Sequence, residues 1–179
     1  LKTILITGAT SGIGLAAAKK LANDENQLIL CGRRQQKLDE ISKELSAITN
    51  VLSLCFNVSD KNEVNKILEN LPDEFSSIDI LINNAGNAHG LDTIQEGSLD
   101  DWDNMIDSNV KGLLYVSRVL IPKMIVKQNG HIINIGSLAG REVYEKGNIY
   151  CATKHAVNAI SKAMRIDLNK TGIKVSEIN

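Results

Sequence analysis

Short apolar runs alternate along the chain with longer segments in which apolar residues recur at helical spacing. The short runs are Thr3–Thr7, Gln27–Cys31, Val51–Cys55, Ile78–Ile82, His131–Ile135 and Ile173–Ile178. Several are apolar almost throughout, which is typical of strands buried on both faces of a sheet. Helices are predicted between them, at about 12–23, 34–47, 60–70, 99–127 and 149–170. This alternation predicts an α/β fold, a doubly wound parallel sheet with right-handed crossovers.

Helix-start signals agree with these boundaries. Ser98 precedes an acidic first turn that ends at Asp101, which resembles a capping box. Either Ser59 or Asp60 can cap the helix that follows them. Pro122 lies inside the 99–127 segment. Because proline removes a backbone donor and clashes with the preceding turn, we expect it to bend or divide that helix.

The last predicted strand, Ile173–Ile178, is followed only by Asn179. A strand without a following helix leaves one of its faces uncovered. We therefore expect the chain to be incomplete, lacking a C-terminal strand and helices. Residues 1–179 are expected to form a single domain.

Composition narrows the class of protein. The chain has 179 residues, of which 43% are hydrophobic and 23% charged, with a formal net charge of -1. Such values are ordinary for a globular domain. The isoelectric point near 6.4, without a block of Lys or Arg, argues against nucleic-acid binding. No apolar run approaches the ~20 residues of a membrane span, and strand-like residues begin at once, so we expect neither a membrane helix nor a signal peptide.

The cysteines Cys31, Cys55 and Cys151 form no Cys-x-x-Cys pair, and the first two close apolar runs. They are predicted to be buried and reduced, which favours a cytoplasmic location. The three histidines are scattered, without the spacing of metal ligands. The expectation is a cytoplasmic, metal-free protein.

A glycine-rich loop joins the first predicted strand to the first helix, with the sequence Gly8-Ala9-Thr10-Ser11-Gly12-Ile13-Gly14. Glycines there permit a tight turn, close approach of the backbone to a pyrophosphate, and close helix–strand packing. The helix N-terminus adds unpaired N–H donors and a partial positive charge. The spacing differs from the common Gly-x-Gly-x-x-Gly fingerprint, so a glycine-rich turn without a ligand is the alternative. Its place between strand and helix favours a dinucleotide site.

Arg33 and Arg34 follow the second predicted strand, where an NAD site carries an Asp or Glu that binds the ribose 2′-OH. The first carboxylate after this strand is Asp39. Two guanidiniums suit a 2′-phosphate through paired charged hydrogen bonds; two surface arginines are the alternative. Since the dipole mildly disfavours a cation at a helix start, the pair favours NADP(H) over NAD(H).

Tyr150 and Lys154 are four residues apart in the last predicted helix, so their side chains share one face. A fixed ammonium beside a phenol favours the phenolate and brings proton transfer toward neutral pH. In isolation such a pair is usually a solvated neighbour pair. The glycine loop provides a cofactor for it to work beside.

These motifs together resemble the short-chain dehydrogenase/reductase family. The family's motifs are matched in order, over essentially the whole chain, by Thr7-Gly8-x-x-x-Gly12-x-Gly14, Asn83-Asn84-Ala85-Gly86, Asn109, Ser137 and Tyr150-x-x-x-Lys154. The stretches similar to its NADP-dependent 3-hydroxy acid (serine/allo-threonine) dehydrogenases are Asp79–Gly86, Asp101–Asp107, Asn109–Gly112, Gly130–Ser137 and Gly32-Arg33-Arg34. The resemblance implies a Rossmann-like sheet, an NADP(H)-dependent oxidoreductase, and a homo-oligomer that is a tetramer or dimer.

The resemblance also implies catalytic roles. Tyr150 is the general acid/base that gives its proton to a carbonyl oxygen as hydride leaves the nicotinamide, and Ser137 hydrogen-bonds the same oxygen. Lys154 promotes ionisation of Tyr150 and holds the nicotinamide ribose hydroxyls. Asn109 anchors a water that relays protons from Lys154; a helix-packing amide is the alternative for this residue.

The family's cofactor contacts carry over to matching positions. They are Gly8, Thr10, Ser11, Gly12, Ile13, Gly14, Arg33, Arg34, Asn57, Val58, Asn84, Ala85, Gly86, Tyr150 and Lys154. Asn83 is expected to brace the sheet edge. Asn57 departs from the family, which usually has an Asp that contacts the adenine amino group. The Asn side-chain oxygen can still accept that hydrogen bond, with a modest loss of affinity.

The implied substrate is a short 3-hydroxy acid held by Ser137 and Tyr150. Arg141 is a candidate for its carboxylate, with a surface arginine as the alternative, and His89 is either a solvated loop residue or part of the pocket. A broad-range ketone or aldehyde reductase of the same family and a non-catalytic nucleotide sensor are the other functions to consider. A sensor has no need for Ser137, Tyr150 and Lys154.

Overall fold

Six parallel strands form one sheet in the computed structural model, which describes residues 1–179. The strands are β1 (Lys2–Thr7), β2 (Asn26–Gly32), β3 (Val51–Cys55), β4 (Ile78–Asn83), β5 (Gly130–Ile135) and β6 (Ile173–Ile178). Their order is β3-β2-β1-β4-β5-β6, with every neighbouring pair parallel. Each strand lies within one residue of its predicted bounds, and the predicted doubly wound, Rossmann-like sheet is confirmed.

Six α-helices connect the strands. They are α1 (Gly12–Leu21), α2 (Gln35–Leu45), α3 (Lys61–Glu69), α4 (Leu99–Ile106), α5 (Leu113–Lys127) and α6 (Asn148–Asp167). Asp60 is the cap of α3, and its carboxylate accepts from two N–H groups of the first turn. Ser98 caps α4 through the N–H of Asp101, as predicted. Both caps satisfy donors that a helix start otherwise leaves unpaired.

A π-helical segment, Asp107–Gly112, joins α4 to α5. Pro122 lies within α5 without dividing it, so a division at Pro122 is excluded. Pro122 has no N–H to donate to the carbonyl of Arg118, one turn earlier. Because both residues are exposed, water can donate to that carbonyl instead. The departure from α-helical register lies instead at Asp107–Gly112.

Two apolar clusters cover the two faces of the sheet. Alternate residues of a strand point to opposite faces. Leu5 therefore packs in the cluster that includes α3, α5 and α6, whereas Ile4 and Ile6 pack with α1 and α2. With both faces covered, the ligand-accessible part of the central strands is their carboxyl edge.

The cysteines divide into two environments. Cys31 and Cys151 are buried, but Cys55 is exposed, so the prediction of a buried side chain is wrong for Cys55. It ends β3, which is an edge strand, and an edge strand is covered less completely than a central one. No helix in the structure has both the length and the apolar character needed to cross a bilayer.

Candidate active site

A cleft of about 1090 Å³ opens along the carboxyl edge of the sheet. β1 pairs with β2 on one side and with β4 on the other, and open α/β sheets bind ligands where the strand order reverses in this way. The predicted site residues that line it are Gly8, Thr10, Ser11, Gly12, Ile13, Arg33, Arg34, Asn57, Val58, Asn84, Ala85, Gly86, Ser137, Tyr150 and Lys154. Gly14, Asn109 and Arg141 are outside the lining.

Gly8 and Gly14 allow backbones to approach closely. Gly8 has a φ of +65°, and a Cβ built on it would lie 2.9 Å from the Cα of Ala85. A Cβ on Gly14 would lie 2.4 Å from the carbonyl oxygen of Gly8. A side chain at either position would displace the loop from β4 or from α1. Gly14 therefore packs against the Gly8 carbonyl and does not line the cleft.

The start of α1 has no side-chain cap. Ser11 occupies the N-cap position without a side-chain hydrogen bond to the helix, and the first turn contains no acidic residue. Ser11, Gly12 and Ile13 line the cleft. Unpaired N–H groups at the positive end of a helix dipole suit a bound anion, so this turn can hold a diphosphate.

Thr7 and Asn84 fasten the glycine loop to the end of β4. The Thr7 hydroxyl oxygen accepts from the N–H groups of Asn84 and Ala85, each at 3.0 Å. The Asn84 amide donates to the carbonyls of Thr7 and Gly8, at 2.9 and 3.1 Å. Thr7 is a site residue that the predicted contacts do not include. Its position directly before Gly8 in the family motif is the signal that points to it.

Arg33 and Arg34 lie exposed beyond β2. The Nη2 of Arg34 donates to the Thr10 hydroxyl at 2.8 Å and to the Ser11 hydroxyl at 3.1 Å. Neither arginine forms a salt bridge, so two uncompensated positive charges line this part of the cleft. A pair of guanidiniums suits a phosphate monoester.

The loops after β3 and β4 form another wall. Asn57 accepts at its side-chain oxygen from the Ser59 N–H, at 3.1 Å. A carbonyl oxygen has two lone pairs, so it can accept one more hydrogen bond. A Cβ on Gly86 would lie 2.9 Å from the Oδ1 of Asn109, so a larger residue there would press on the buried Asn109 side chain.

Tyr150 and Lys154 line the cleft from the first turns of α6. The Lys154 Nζ lies 5.9 Å from the centroid of the Tyr150 ring. Lys154 is only 8% exposed, and its Nζ donates to the Ile135 carbonyl at 3.0 Å. Burial lowers the pKa of the Lys154 ammonium below its ordinary value, and the Glu177 carboxylate opposes that shift. The fold thus holds a phenol beside an ammonium at the end of β5.

Ser137 follows β5 and lines the same cleft. Its hydroxyl oxygen accepts from the Ala139 N–H at 3.1 Å, which caps a short 3₁₀ turn. Its N–H donates to the Asn179 side chain at 3.0 Å. The hydroxyl proton remains free to donate, so Ser137 and Tyr150 can both act as donors within one cleft.

Asn109 is 3% exposed and lies in the π-helical segment. Its Oδ1 accepts from the Asn87 N–H, and its Nδ2 donates to the Asn87 carbonyl and to the Thr153 hydroxyl. The Ser108 hydroxyl lies 3.1 Å from Oδ1, but its one proton is given to the Asn104 carbonyl at 2.7 Å. Both Nδ2 donors are used, whereas Oδ1 keeps one lone pair. The side chain therefore ties the loop after β4 to α6, and its role with the relay water stays a prediction. Thr153 is a second residue of this site that the sequence pattern does not single out.

Arg141 lies outside the cleft and lines a separate depression of about 620 Å³. The 3₁₀ turn Leu138–Gly140 lies between Arg141 and Ser137. The structure does not bring Arg141 to the cleft lining, and its binding of a substrate carboxylate stays a prediction. His89 is exposed and is likewise absent from the cleft lining.

Comparison with known proteins agrees with this geometry. Residues 2–179 match the family model described as short chain dehydrogenase. The chain is 41% identical over 175 residues to the NADP-dependent 3-hydroxy acid dehydrogenase YdfG of Escherichia coli O6:H1, an alignment that covers 98% of this chain and 70% of that relative. It is 42% identical over 181 residues to the NADP-dependent 3-hydroxy acid dehydrogenase of Schizosaccharomyces pombe, covering 99% and 70%.

A solved structure gives the same result. The closed form of serine dehydrogenase complexed with NADP+ aligns with a TM-score of 0.94 at 40% identity, covering 98% of this chain and 70% of that one. Sheet order, cleft position and sequence similarity all lead to one assignment: the chain belongs to the short-chain dehydrogenase/reductase family.

Proposed function

We propose that the chain is an oxidoreductase that interconverts a carbonyl and an alcohol with NADP(H), with Tyr150 as general acid/base. The observation that carries this proposal is that a single cleft is lined both by the glycine loop and by Ser137, Tyr150 and Lys154. A nucleotide sensor needs the loop but not those three side chains. The shared cleft therefore favours the enzyme over the sensor.

The cleft fits a dinucleotide with a 2′-phosphate. The uncapped start of α1 suits the diphosphate. Arg33 and Arg34, without acidic partners, suit the 2′-phosphate. The relatives named above are NADP-dependent in their own names, which supports NADP(H) over NAD(H) here. The residues that would line the adenosine end of the cofactor are Asn57, Val58, Ala85 and Gly86.

Proton transfer is assigned to Tyr150. Bound NADPH supplies hydride to the carbonyl carbon. The Tyr150 hydroxyl gives its proton to the carbonyl oxygen, while the Ser137 hydroxyl donates a hydrogen bond to the same oxygen. In the oxidative direction Tyr150 takes the alcohol proton back.

Lys154 and Asn109 support that transfer. One N–H of Lys154 is used by the Ile135 carbonyl, which leaves two for the ribose hydroxyls. Because the Asn109 side chain is buried and does not line the cleft, we assign the relay water to its main-chain carbonyl. In an uninterrupted α-helix the Leu113 N–H would donate to the Asn109 carbonyl. Here it donates to the Val110 carbonyl instead.

The substrate is proposed to be a short 3-hydroxy acid, after the names of the two relatives. A second candidate, a broader ketone or aldehyde reductase, is favoured by the position of Arg141 outside the cleft. Arg33 and Arg34 are assigned to the cofactor, so Lys154 is the one cation left near the reacting groups. Assays on matched substrates with and without a carboxylate distinguish the two.

Three wider proposals accompany the reaction. Residues 1–179 act as one domain that holds both cofactor and catalytic groups. The three thiols are free, which supports a cytoplasmic location. The chain forms a homo-oligomer, a tetramer or dimer, through α5 and α6. Exposed apolar residues on those helices support this last proposal: Leu114, Ile125, Val126 and Ile166.

Tyr150→Phe tests the central assignment. It removes the transferable proton and keeps the ring, so kcat should fall by about 100-fold or more, the scale of general acid–base catalysis, with NADPH affinity nearly unchanged. Steady-state kinetics and NADPH fluorescence titration measure the two quantities. Tyr144→Phe, outside the cleft lining, is the matched control and should keep full activity. Equal turnover in Tyr150→Phe would refute the mechanism.

A further inference from the structure

Glu177 is a carboxylate for which the proposed mechanism has no role. It lies in β6, in register with Asn134 of β5. Both of its carboxylate oxygens accept from the Asn158 amide, at 3.1 and 3.0 Å. Asn158 lies on α6 one turn beyond Lys154. The carboxylate is therefore held between the sheet and the helix that carries the catalytic pair.

Gly136 brings this carboxylate close to the active site. A Cβ on Gly136 would lie 2.8 Å from a Glu177 carboxylate oxygen, so the glycine leaves room for it. Gly136 separates Ile135, whose carbonyl accepts from Lys154, from Ser137. Glu177 thus lies against Gly136, between Ile135, which accepts from the ammonium, and Ser137, the proposed donor to the substrate oxygen.

Lys154 has no ion-pair partner of its own. It is nearly buried and forms no salt bridge. Burial disfavours a charged ammonium, whereas a nearby carboxylate favours it. Of the acidic groups, Glu177 is the one that raises the pKa of Lys154 against the lowering caused by burial.

We propose that Glu177 is a positioning residue for the reaction: its carboxylate, held by Asn158 against Gly136, keeps the buried Lys154 protonated at the pH of catalysis. This inference rests on the proposed function of Lys154. A protonated Lys154 can donate to both ribose hydroxyls and stay beside Tyr150, whereas a neutral amine has one proton fewer and no charge.

Other charged groups face the two residues. Tyr150 faces Lys154 from the same helix. The titratable groups that line the separate depression of about 620 Å³ together with Glu177 are Arg141, His155, Lys162 and Arg165. The positive charges of Arg141, Lys162 and Arg165 partly offset the field of Glu177. We therefore expect Glu177 to raise the pKa of Lys154 by less than an unopposed carboxylate at close range would.

The experiment is an NMR titration of the lysine side chains, with Lys154→Met used to assign the Lys154 signal. In Glu177→Gln, which keeps the shape and an acceptor for Asn158, the Lys154 midpoint should move measurably to lower pH. The pH at which NADPH affinity falls on the alkaline side should move with it. Glu177→Asp keeps the charge and should stay near the unmodified midpoint. Glu69→Gln, an exposed residue of α3, controls for the change in net charge.

The outcomes separate this inference from the proposed function. An unchanged Lys154 midpoint in Glu177→Gln overturns the inference, whether or not the chain turns substrate over. If Glu177→Gln folds poorly, Asn158→Ala replaces it: freeing the carboxylate should lower the midpoint in the same direction, and no shift again overturns the inference. A shifted midpoint in a chain that binds no NADPH supports the electrostatic link and counts against the proposed function alone.

Discussion

Lys154 occupies an unusual environment for a lysine, since only 8% of the residue is exposed. An ammonium in such a place has lost most of its hydration, which disfavours its charged form. A single hydrogen bond, to the Ile135 carbonyl, fixes its direction. The side chain is therefore held with two N–H groups left to donate to a ligand in the cleft.

Arg33 and Arg34 allow a prediction about cofactor choice. Replacing both by alanine should weaken NADPH binding by one to two orders of magnitude, because hydrogen bonds to charged groups contribute about 1.5–3 kcal/mol each. NADH lacks the 2′-phosphate, so its affinity should change little. Fluorescence titrations with both cofactors give the ratio.

Arg118→Ala is the matched control for that experiment. Arg118 is exposed on α5, away from the cleft lining, and forms no salt bridge. It should leave both affinities unchanged. An equal loss for NADPH and NADH in the double variant would contradict the 2′-phosphate assignment.

Among the elements, the α4–α5 connection carries a functional departure from regularity. Its π-helical segment, Asp107–Gly112, places Asn109 where it ties the loop after β4 to Thr153 of α6. Single π-helical turns within helices occur frequently at functional sites. The apolar periodicity of residues 99–127 predicts helix there but carries no sign of this shift in register.

The start of α3 gives a prediction about stability. Asp60→Ala removes the acceptor for the N–H groups of Asn62 and Glu63 and should cost about 0.5–2 kcal/mol. For a chain of this size, each kcal/mol lowers the melting temperature by roughly 2–4 °C. Calorimetry measures the change. Ser59→Ala is the control, since the cap is Asp60; a larger loss in the control would contradict the assignment.

At the scale of the whole molecule, exposed alanines and an isoleucine follow one face of α6. They are Ala152, Ala159, Ala163 and Ile166. Their spacing of three, four and seven residues places them on a single stripe. Such a stripe can pack closely against another helix, which is why the proposed oligomer uses this face together with α5.

That proposal predicts the effect of charge on assembly. Ala159→Glu combined with Ile166→Glu should reduce the mass measured by light scattering to that of one chain, because burying unpaired carboxylates is unfavourable. Ile48→Glu, an exposed isoleucine after α2, should leave the mass unchanged. A single-chain mass in the unmodified protein, or an unchanged mass in the double variant, would contradict the proposed interface.

The amino-acid pattern alone was enough for the strands, the glycine loop and the Tyr150–Lys154 pair. Strands buried on both faces need continuous apolar runs, and residues four apart on a helix must share a face. These are local requirements, so neighbouring residues encode them. The position of Arg141 outside the cleft lining, the burial of Asn109 and the hydrogen bonds between Asn158 and Glu177 are different in kind. Each depends on contacts between segments far apart in the chain, such as Asn109 with Thr153, and local periodicity carries no information about those distances.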